Sequence, residues 1–345
     1  MPDRAAPEPP DDSHDDDCRP HGLALLFPGQ GAQHAGMGKR IAEMSQAARR
    51  IFEQADEVLN FKISKVCFEG SEEELEDTAN TQPAILTTSL AYLAYLRERL
   101  GEAGRRLRPS MMAGHSLGQF SAAIATNTID FDDGLRLVME RGRVMGEYAR
   151  ARPGGMATIL GMSDDDVRTL CRDASPEGVV SVAVTNGLGH TVISGDDGPL
   201  DKAMALARER GGRALRLHIG VPGHTPLMHD AARELSRFIS TLTFRDPNPP
   251  MVSNISARLL MTAEDVRQEL SDQIWAAVEW ARCVLAMINE GATSFIEVGP
   301  GQALSKLVKR ISGEASVIGV EHASIEDLIR FADAVPVPAR SGAAR

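Results

Sequence analysis

Gly114-His115-Ser116-Leu117-Gly118 closes a short apolar run that begins at Met111, and it leads directly into an Ala-rich stretch with helical spacing. The run reads as a buried strand and the stretch after it as a helix. In that setting the two glycines permit a tight strand-to-helix turn that lifts the Ser116 hydroxyl out of the sheet. The helix N-terminus behind it directs partial positive charge at any oxyanion formed there. The pattern predicts an α/β fold that displays Ser116 at the end of a strand.

Outward from this point the alternation of strand and helix continues. Upstream, residues 23–27 form an apolar run that ends in Pro28-Gly29-Gln30-Gly31, a strand leaving into a Gly-rich turn. Helices are predicted over 38–59, over 82–100 with Pro83 in the first turn, and over 131–149. Residues 154–222 read as strand, helix, strand, strand, helix, strand, the βαββαβ order of a ferredoxin-like unit. After it come strands at 251–254, 294–298 and 317–320, and helices at 264–290 and 302–311. The expected architecture is an α/β-hydrolase-like core with a mostly parallel sheet, built from 21–152 and 221–334, and a ferredoxin-like subdomain inserted at 153–220.

The chain has 345 residues, 43% hydrophobic and 25% charged, with no apolar run of the ~18 residues a membrane-spanning helix needs. Its net charge of −11 argues against a nucleic-acid partner. Residues 1–20 hold seven acidic residues against Arg4 and Arg19, a net of −5 that leaves −6 for the rest. This stretch predicts a disordered acidic tail, and 335–345 a flexible C-terminal one. No secretory signal is evident, which implies the cytoplasm. Cys18, Cys67, Cys171 and Cys283 include no CxxC pair, so neither a disulfide framework nor a metal site is expected.

A serine needs a base to act as a nucleophile. Of nine histidines, His224 in Pro222-Gly223-His224-Thr225-Pro226 falls where the insert returns to the main domain, a place where loops line clefts. A loop histidine between turn residues also has a plain structural reading. An oxyanion needs two donors. Leu117 N–H after the elbow supplies one, and Gln30 N–H in the first Gly-rich loop is the candidate for the other.

Phe27-Pro28-Gly29-Gln30-Gly31-Ala32-Gln33, Thr81-Gln82-Pro83-Ala84, Gly114-His115-Ser116-Leu117-Gly118-Gln119, Pro222-Gly223-His224 and Glu297-Val298-Gly299-Pro300-Gly301 occur in this order. Together they resemble the malonyl-CoA:acyl carrier protein transacylases and the acyltransferases of polyketide synthases, over about residues 23–312. The resemblance implies Ser116 as nucleophile, His224 as its base, and backbone N–H groups of Gln30 and Leu117 as the oxyanion hole. It implies that the backbone carbonyl of Gln273 orients His224, with little role for the Gln273 side chain. Gln82 would line the pocket, and Arg141 would pair with the free carboxylate of a malonyl group. The implied partners are malonyl-CoA, or a related acyl-CoA, and an acyl carrier protein. The enzyme would be a monomer without metal or cofactor, coenzyme A thioester being its substrate.

Three departures bear on this. Gln119 stands where the motif most often has Glu, which removes a charge near the pocket mouth without touching the dyad. Asn186-Gly187-Leu188-Gly189-His190 differs from the usual Asn-rich version. Gly223 bears no side chain where a larger residue often gauges the acyl group, so methylmalonyl or ethylmalonyl units served to a polyketide synthase stay open, as does a thioester hydrolase with the same dyad. A silent docking subunit is the remaining rival, disfavoured by Ser116, His224 and Arg141. For an acidic carrier protein, Lys306, Lys309 and Arg310 together with Arg143 form the candidate docking patch.

Overall fold

Leu23-Ala24-Leu25-Leu26-Phe27 is buried at every position, as a central parallel strand covered on both faces must be. The computed structural model describes residues 22–335, so the acidic tail expected at 1–20 and all but the first residue of the C-terminal tail expected at 335–345 lie outside the described residues. Val335, that first residue, packs into the core.

In chain order the strands are β1 (Leu23–Phe27), β2 (Met111–Gly114), β3 (Gly154–Leu160), β4 (Val180–Thr185), β5 (His190–Asp196), β6 (Arg213–Arg216), β7 (Met251–Val252), β8 (Leu259–Leu260), β9 (Ser294–Glu297) and β10 (Ser316–Gly319). The larger sheet has the order β10-β9-β1-β2-β7-β8, parallel except for β8 at one edge. Phe27 pairs with Gly114, and Leu26 with Glu297, so three strands end level with one another. The loops that leave them therefore meet at the carboxyl edge of the sheet, where open α/β sheets bind ligands.

The smaller sheet is antiparallel throughout, in the order β4-β5-β3-β6, the arrangement of a ferredoxin-like unit. Helices Asp164–Ala174 and Asp197–Glu209 bury Val167, Leu170, Leu200 and Ala203 against Ile159 and Ile193 of this sheet. Its other side joins the main body: Met156, Val184 and Val192 share a buried cluster with Trp280 and Phe295. Thr185 N–H donates to Val278 O and Val278 N–H to Ala183 O, tying β4 to the segment after helix Ala263–Asp272.

Several helices depart from the periodicity reading. The stretch 38–59 is two helices, Lys39–Met44 and Gln46–Leu59, because the Ser45 hydroxyl caps the second by accepting from Ala48 N–H. Helix Thr78–Glu102 starts four residues before 82, where the Asp77 carboxylate accepts from Ala79 N–H, and Pro83 thus lies inside it. The single helix predicted at 264–290 is broken into Ala263–Asp272 and Trp280–Asn289. That break has a function in the site below. Helices Ile63–Glu69, Glu72–Glu76, His229–Ile239 and Ile325–Asp333 have no counterpart in the sequence reading. Among the described residues no helix is long and apolar enough to cross a membrane.

Candidate active site

Ser116 sits one turn beyond β2 with φ 51°, in the left-handed region that side chains other than glycine rarely occupy. The flanking glycines make that turn possible. A Cβ on Gly114 would lie 1.8 Å from Gly118 C, and one on Gly118 would lie 2.0 Å from Phe27 O. The same close approach brings the 28–31 loop against the elbow. Neither Gln30 N–H nor Leu117 N–H donates to another group among the described residues, and Gln30 lines the cavity beside Ser116. Two donors are thereby left for an oxyanion.

His224 comes from the loop between β6 and helix His229–Ile239, also with positive φ, at 60°. Its Nε2 lies 2.7 Å from Ser116 Oγ. Its Nδ1 faces two carbonyls, Gln273 O at 2.8 Å and Ala276 O at 3.1 Å. Carbonyls only accept, so Nδ1 carries the proton and Nε2 is left to accept from the serine hydroxyl. Both carbonyls belong to the break at 273–279, and Ile274 O accepts from His224 N–H at 2.9 Å. A continuous helix would have kept these carbonyls for itself. Burial, and then the nearby Arg141 charge, push the His224 pKa down to about 4, so the ring is neutral at physiological pH.

Arg141, on helix Phe131–Ala151, is only 2% exposed yet lines the same cavity. Its Nη1 donates to Gln82 Oε1 at 2.8 Å, and its guanidinium lies 5.4 Å from the centre of the Phe120 ring. Its Nε is buried without a partner, and no carboxylate among the described residues pairs with it. Burial lowers its pKa to about 10, which leaves it charged at neutral pH. A buried cation without a counter-ion is costly. A carboxylate entering the cavity would supply one.

The cavity, of about 230 Å³, is lined by Gln30, Ser116, Arg141 and His224 at its polar end and by Met156, Val192, Leu217 and Leu307 elsewhere. It has room for an acyl thioester, with a nucleotide left outside. Gly223 lies on its wall, and a methyl built there would touch Met145 Cε at 3.5 Å, so the space the missing side chain leaves amounts to about one methyl group.

Four expectations need correction. Gln82 is fully buried behind Arg141 and is not among the residues lining the cavity; its Nε2 faces Met145 Sδ at 3.7 Å, so it holds the guanidinium rather than the substrate. The Gln273 side chain is engaged, its Nε2 donating to Ser116 O at 2.9 Å and to Asn254 Oδ1 at 3.1 Å. Gln119 does not line the cavity. It is fully buried, with Oε1 accepting from Gly114 N–H at 2.7 Å and Nε2 donating to Val252 O at 2.7 Å and Glu269 Oε1 at 3.4 Å. Arg143, finally, does not join Lys306, Lys309 and Arg310. Glu140, Glu147 and Glu234 surround it within 2.7 Å and raise its pKa, and it lines a separate groove with Arg136 and Arg150. Lys306, Lys309 and Arg310 share another groove with Ile318 and His322, on the helix Ala303–Ile311. That helix is anchored by the buried Glu297 carboxylate, which accepts from Leu304 N–H and Ser305 N–H.

Asn254 is the residue that the sequence reading missed. Its Oδ1 accepts from Ser116 N–H at 2.9 Å and its Nδ2 donates to Gly114 O at 2.8 Å, clasping the elbow from both sides. Glu269, also buried, accepts from Asn254 N–H and the Ser253 hydroxyl, both at 2.6 Å. The signal available was the polar Ser253-Asn254 pair directly after a short apolar strand, at the carboxyl end where sites form.

The model of the acyl transferase domain family matches residues 24–336. The malonyl CoA-acyl carrier protein transacylase of Bacillus subtilis is 40% identical over 300 residues, 86% of this chain and 93% of that protein. The solved malonyl CoA-acyl carrier protein transacylase of Coxiella burnetii superposes with a TM-score of 0.86 at 30% identity, covering 92% of this chain and 98% of that one. A malonyl-transacylase solved in complex with its type II polyketide synthase acyl-carrier protein superposes with a TM-score of 0.84 at 33% identity, covering 90% and 99%. The motifs, the fold and these similarities agree, and the chain belongs to the malonyl-CoA:acyl carrier protein transacylase family.

Proposed function

We propose that this protein transfers a malonyl group from coenzyme A to the phosphopantetheine thiol of an acyl carrier protein, through an acyl-Ser116 intermediate. The observation that carries the choice of acyl group is Arg141, a buried guanidinium without a carboxylate partner in the cavity of Ser116 and His224. A malonyl carboxylate fits it by two parallel charge-assisted hydrogen bonds, whereas an acetyl group leaves it unpaired.

In the first half-reaction Ser116 Oγ attacks the thioester carbonyl as His224 Nε2 takes its proton. The oxyanion forms against Gln30 N–H and Leu117 N–H, and on collapse the carbon–sulfur bond breaks and His224 returns the proton to the departing thiolate. In the second half-reaction the carrier thiol gives its proton to His224, attacks the ester, and Ser116 Oγ leaves with that proton. Bonds and protons balance without a metal or redox cofactor. Lys306, Lys309 and Arg310, exposed on the helix whose Ala303, Leu304 and Leu307 line the cavity, are the proposed seat of the acidic carrier. We place the reaction in the cytoplasm, a reading supported by Cys67, Cys171 and Cys283, which are free and buried.

The test is to offer malonyl-, methylmalonyl-, ethylmalonyl- and acetyl-CoA together and read the mass added at Ser116. A malonyl adduct supports the proposal; an acetyl adduct alone removes the role of Arg141. Release of coenzyme A at a rate independent of added carrier protein would identify a hydrolase instead.

A further inference from the structure

The connection between β4 and β5, Asn186-Gly187-Leu188-Gly189, puts a leucine where turn chemistry favours glycine or asparagine. Leu188 has φ 49°, between Gly187 at 79° and Gly189 at 68°. The left-handed region is unfavourable for a bulky side chain. Burial does not offset this, because Leu188 is 67% exposed, the highest value among the exposed large apolar side chains described. The loop is nonetheless firmly held. Asn186 N–H donates to His190 O at 2.9 Å, His190 N–H to Gly187 O at 3.1 Å, and Gly161 N–H to Gly189 O at 2.8 Å. Arg310 Nη2 donates to Leu188 O at 3.2 Å.

These contacts fix where the side chain is presented. Asn186 and His190, at the two ends of the turn, line the cavity of Ser116, and Arg310 lines the basic groove with Lys306 and Lys309. Leu188 thus stands at the tip of a turn whose ends line the cavity and whose backbone is held by Arg310 of the groove. We propose that Leu188 is the apolar anchor on which the acyl carrier protein docks, with Lys306, Lys309 and Arg310 holding the carrier's acidic surface around it. This rests on the carrier-protein reading above and assigns it a contact that small thioesters do not need. A carrier must rest its folded surface on the rim while its arm reaches Ser116, whereas coenzyme A has no such surface.

Leu188→Asn tests it, since asparagine tolerates the left-handed turn and removes only the apolar contact. With holo acyl carrier protein as the varied acceptor, its KM rises about 5- to 10-fold, the loss typical of an apolar interface anchor. Single-turnover acylation of Ser116 by malonyl-CoA stays within about 2-fold, and Leu188→Met keeps the parent carrier KM. Leu188→Gly, which relieves the turn outright, shows the same split and replaces the Asn variant if that one folds poorly. An unchanged carrier KM, or a raised one accompanied by slower acylation from malonyl-CoA, overturns the proposal. The double charge reversal Lys309→Glu, Arg310→Glu separates the two readings. If it raises the carrier KM while Leu188→Asn does not, the docking groove stands and the anchor falls. If neither variant changes it, the groove itself is removed.

Discussion

Arg141 Nη1 donates to Gln82 Oε1 at 2.8 Å, and this neutral amide is the sole hydrogen-bond partner of the guanidinium among the described residues. The pair orients a buried cation without neutralising it. Its charge is left without a counter-ion among the described residues, and the same charge bears on His224.

Replacing Arg141 by Ala removes the proposed partner of the malonyl carboxylate and leaves the dyad in place. Losing a charge-assisted pair of about 1.5–3 kcal/mol predicts a fall of roughly 10- to 150-fold in kcat/KM for malonyl-CoA. Acylation by acetyl-CoA, read in the same single-turnover assay, should not fall. An equal loss for both thioesters would show that Arg141 acts on the fold and not on the acyl group. Gln82→Ala, which frees the guanidinium without removing it, should give the same discrimination loss in milder form.

The depressed His224 pKa has a directional consequence for the pH profile. In the proposed mechanism the neutral ring is the active form, so acylation competence is expected above about pH 4 and should be lost as the pH falls through that value. For an unperturbed histidine the acid limb would lie near 6.5. Burial is the larger cause and the Arg141 charge the second, so Arg141→Gln should move the limb upward without restoring 6.5. Single-turnover acylation measured between about pH 3 and 8 checks both statements.

Ser116→Ala and His224→Ala should each lower turnover by about 10³-fold or more, and the double variant should be little worse than either, because the two act as one unit. Intact-mass measurement after exposure to malonyl-CoA should find no adduct on the Ser116→Ala protein. A persistent adduct would point to another nucleophile.

Gln119→Glu restores the commoner form of the motif but should harm this chain. Gln119 Nε2 now donates to Val252 O and to Glu269, and a carboxylate there would face both acceptors in a fully buried site. Burial already raises the Glu269 pKa, and a second carboxyl beside it must hold a proton or repel. A loss of about 1–3 kcal/mol in unfolding free energy at neutral pH is expected, partly recovered by adding Glu269→Gln. Urea unfolding of the single and double variants measures it, and an unchanged midpoint for Gln119→Glu would contradict the network.

Gln273→Ala should lower kcat by about 10-fold with little change in KM for malonyl-CoA, since the lost amide holds Ser116 O and Asn254 and does not line the cavity. The carbonyl that orients His224 is retained in this variant. A parent-like kcat would return the side chain to the minor role expected from sequence.

Much of the site is legible in the chain alone, for a local reason. The elbow at 114–118 and the loop at 28–31 are each written in consecutive residues, because a backbone turn that needs glycines declares itself within five positions. The order of the βαββαβ segment is equally local, since strand and helix periods differ. Tertiary structure decided the rest. Ser116 and His224 are 108 positions apart, and their 2.7 Å contact depends on the chain returning to the main body after β6 of the smaller sheet and on a helix break at 273–279 that periodicity reads as continuous. That break exists because His224 and β4 take up its backbone groups, a competition no window of sequence contains. The same holds for charge. Arg141 and Arg143 are two residues apart and identical in type, yet one is buried facing the cavity and the other is ringed by three glutamates. A helix turns by about 100° per residue, so two steps point the side chains to opposite faces, and only the packing around the helix decides which face becomes a site.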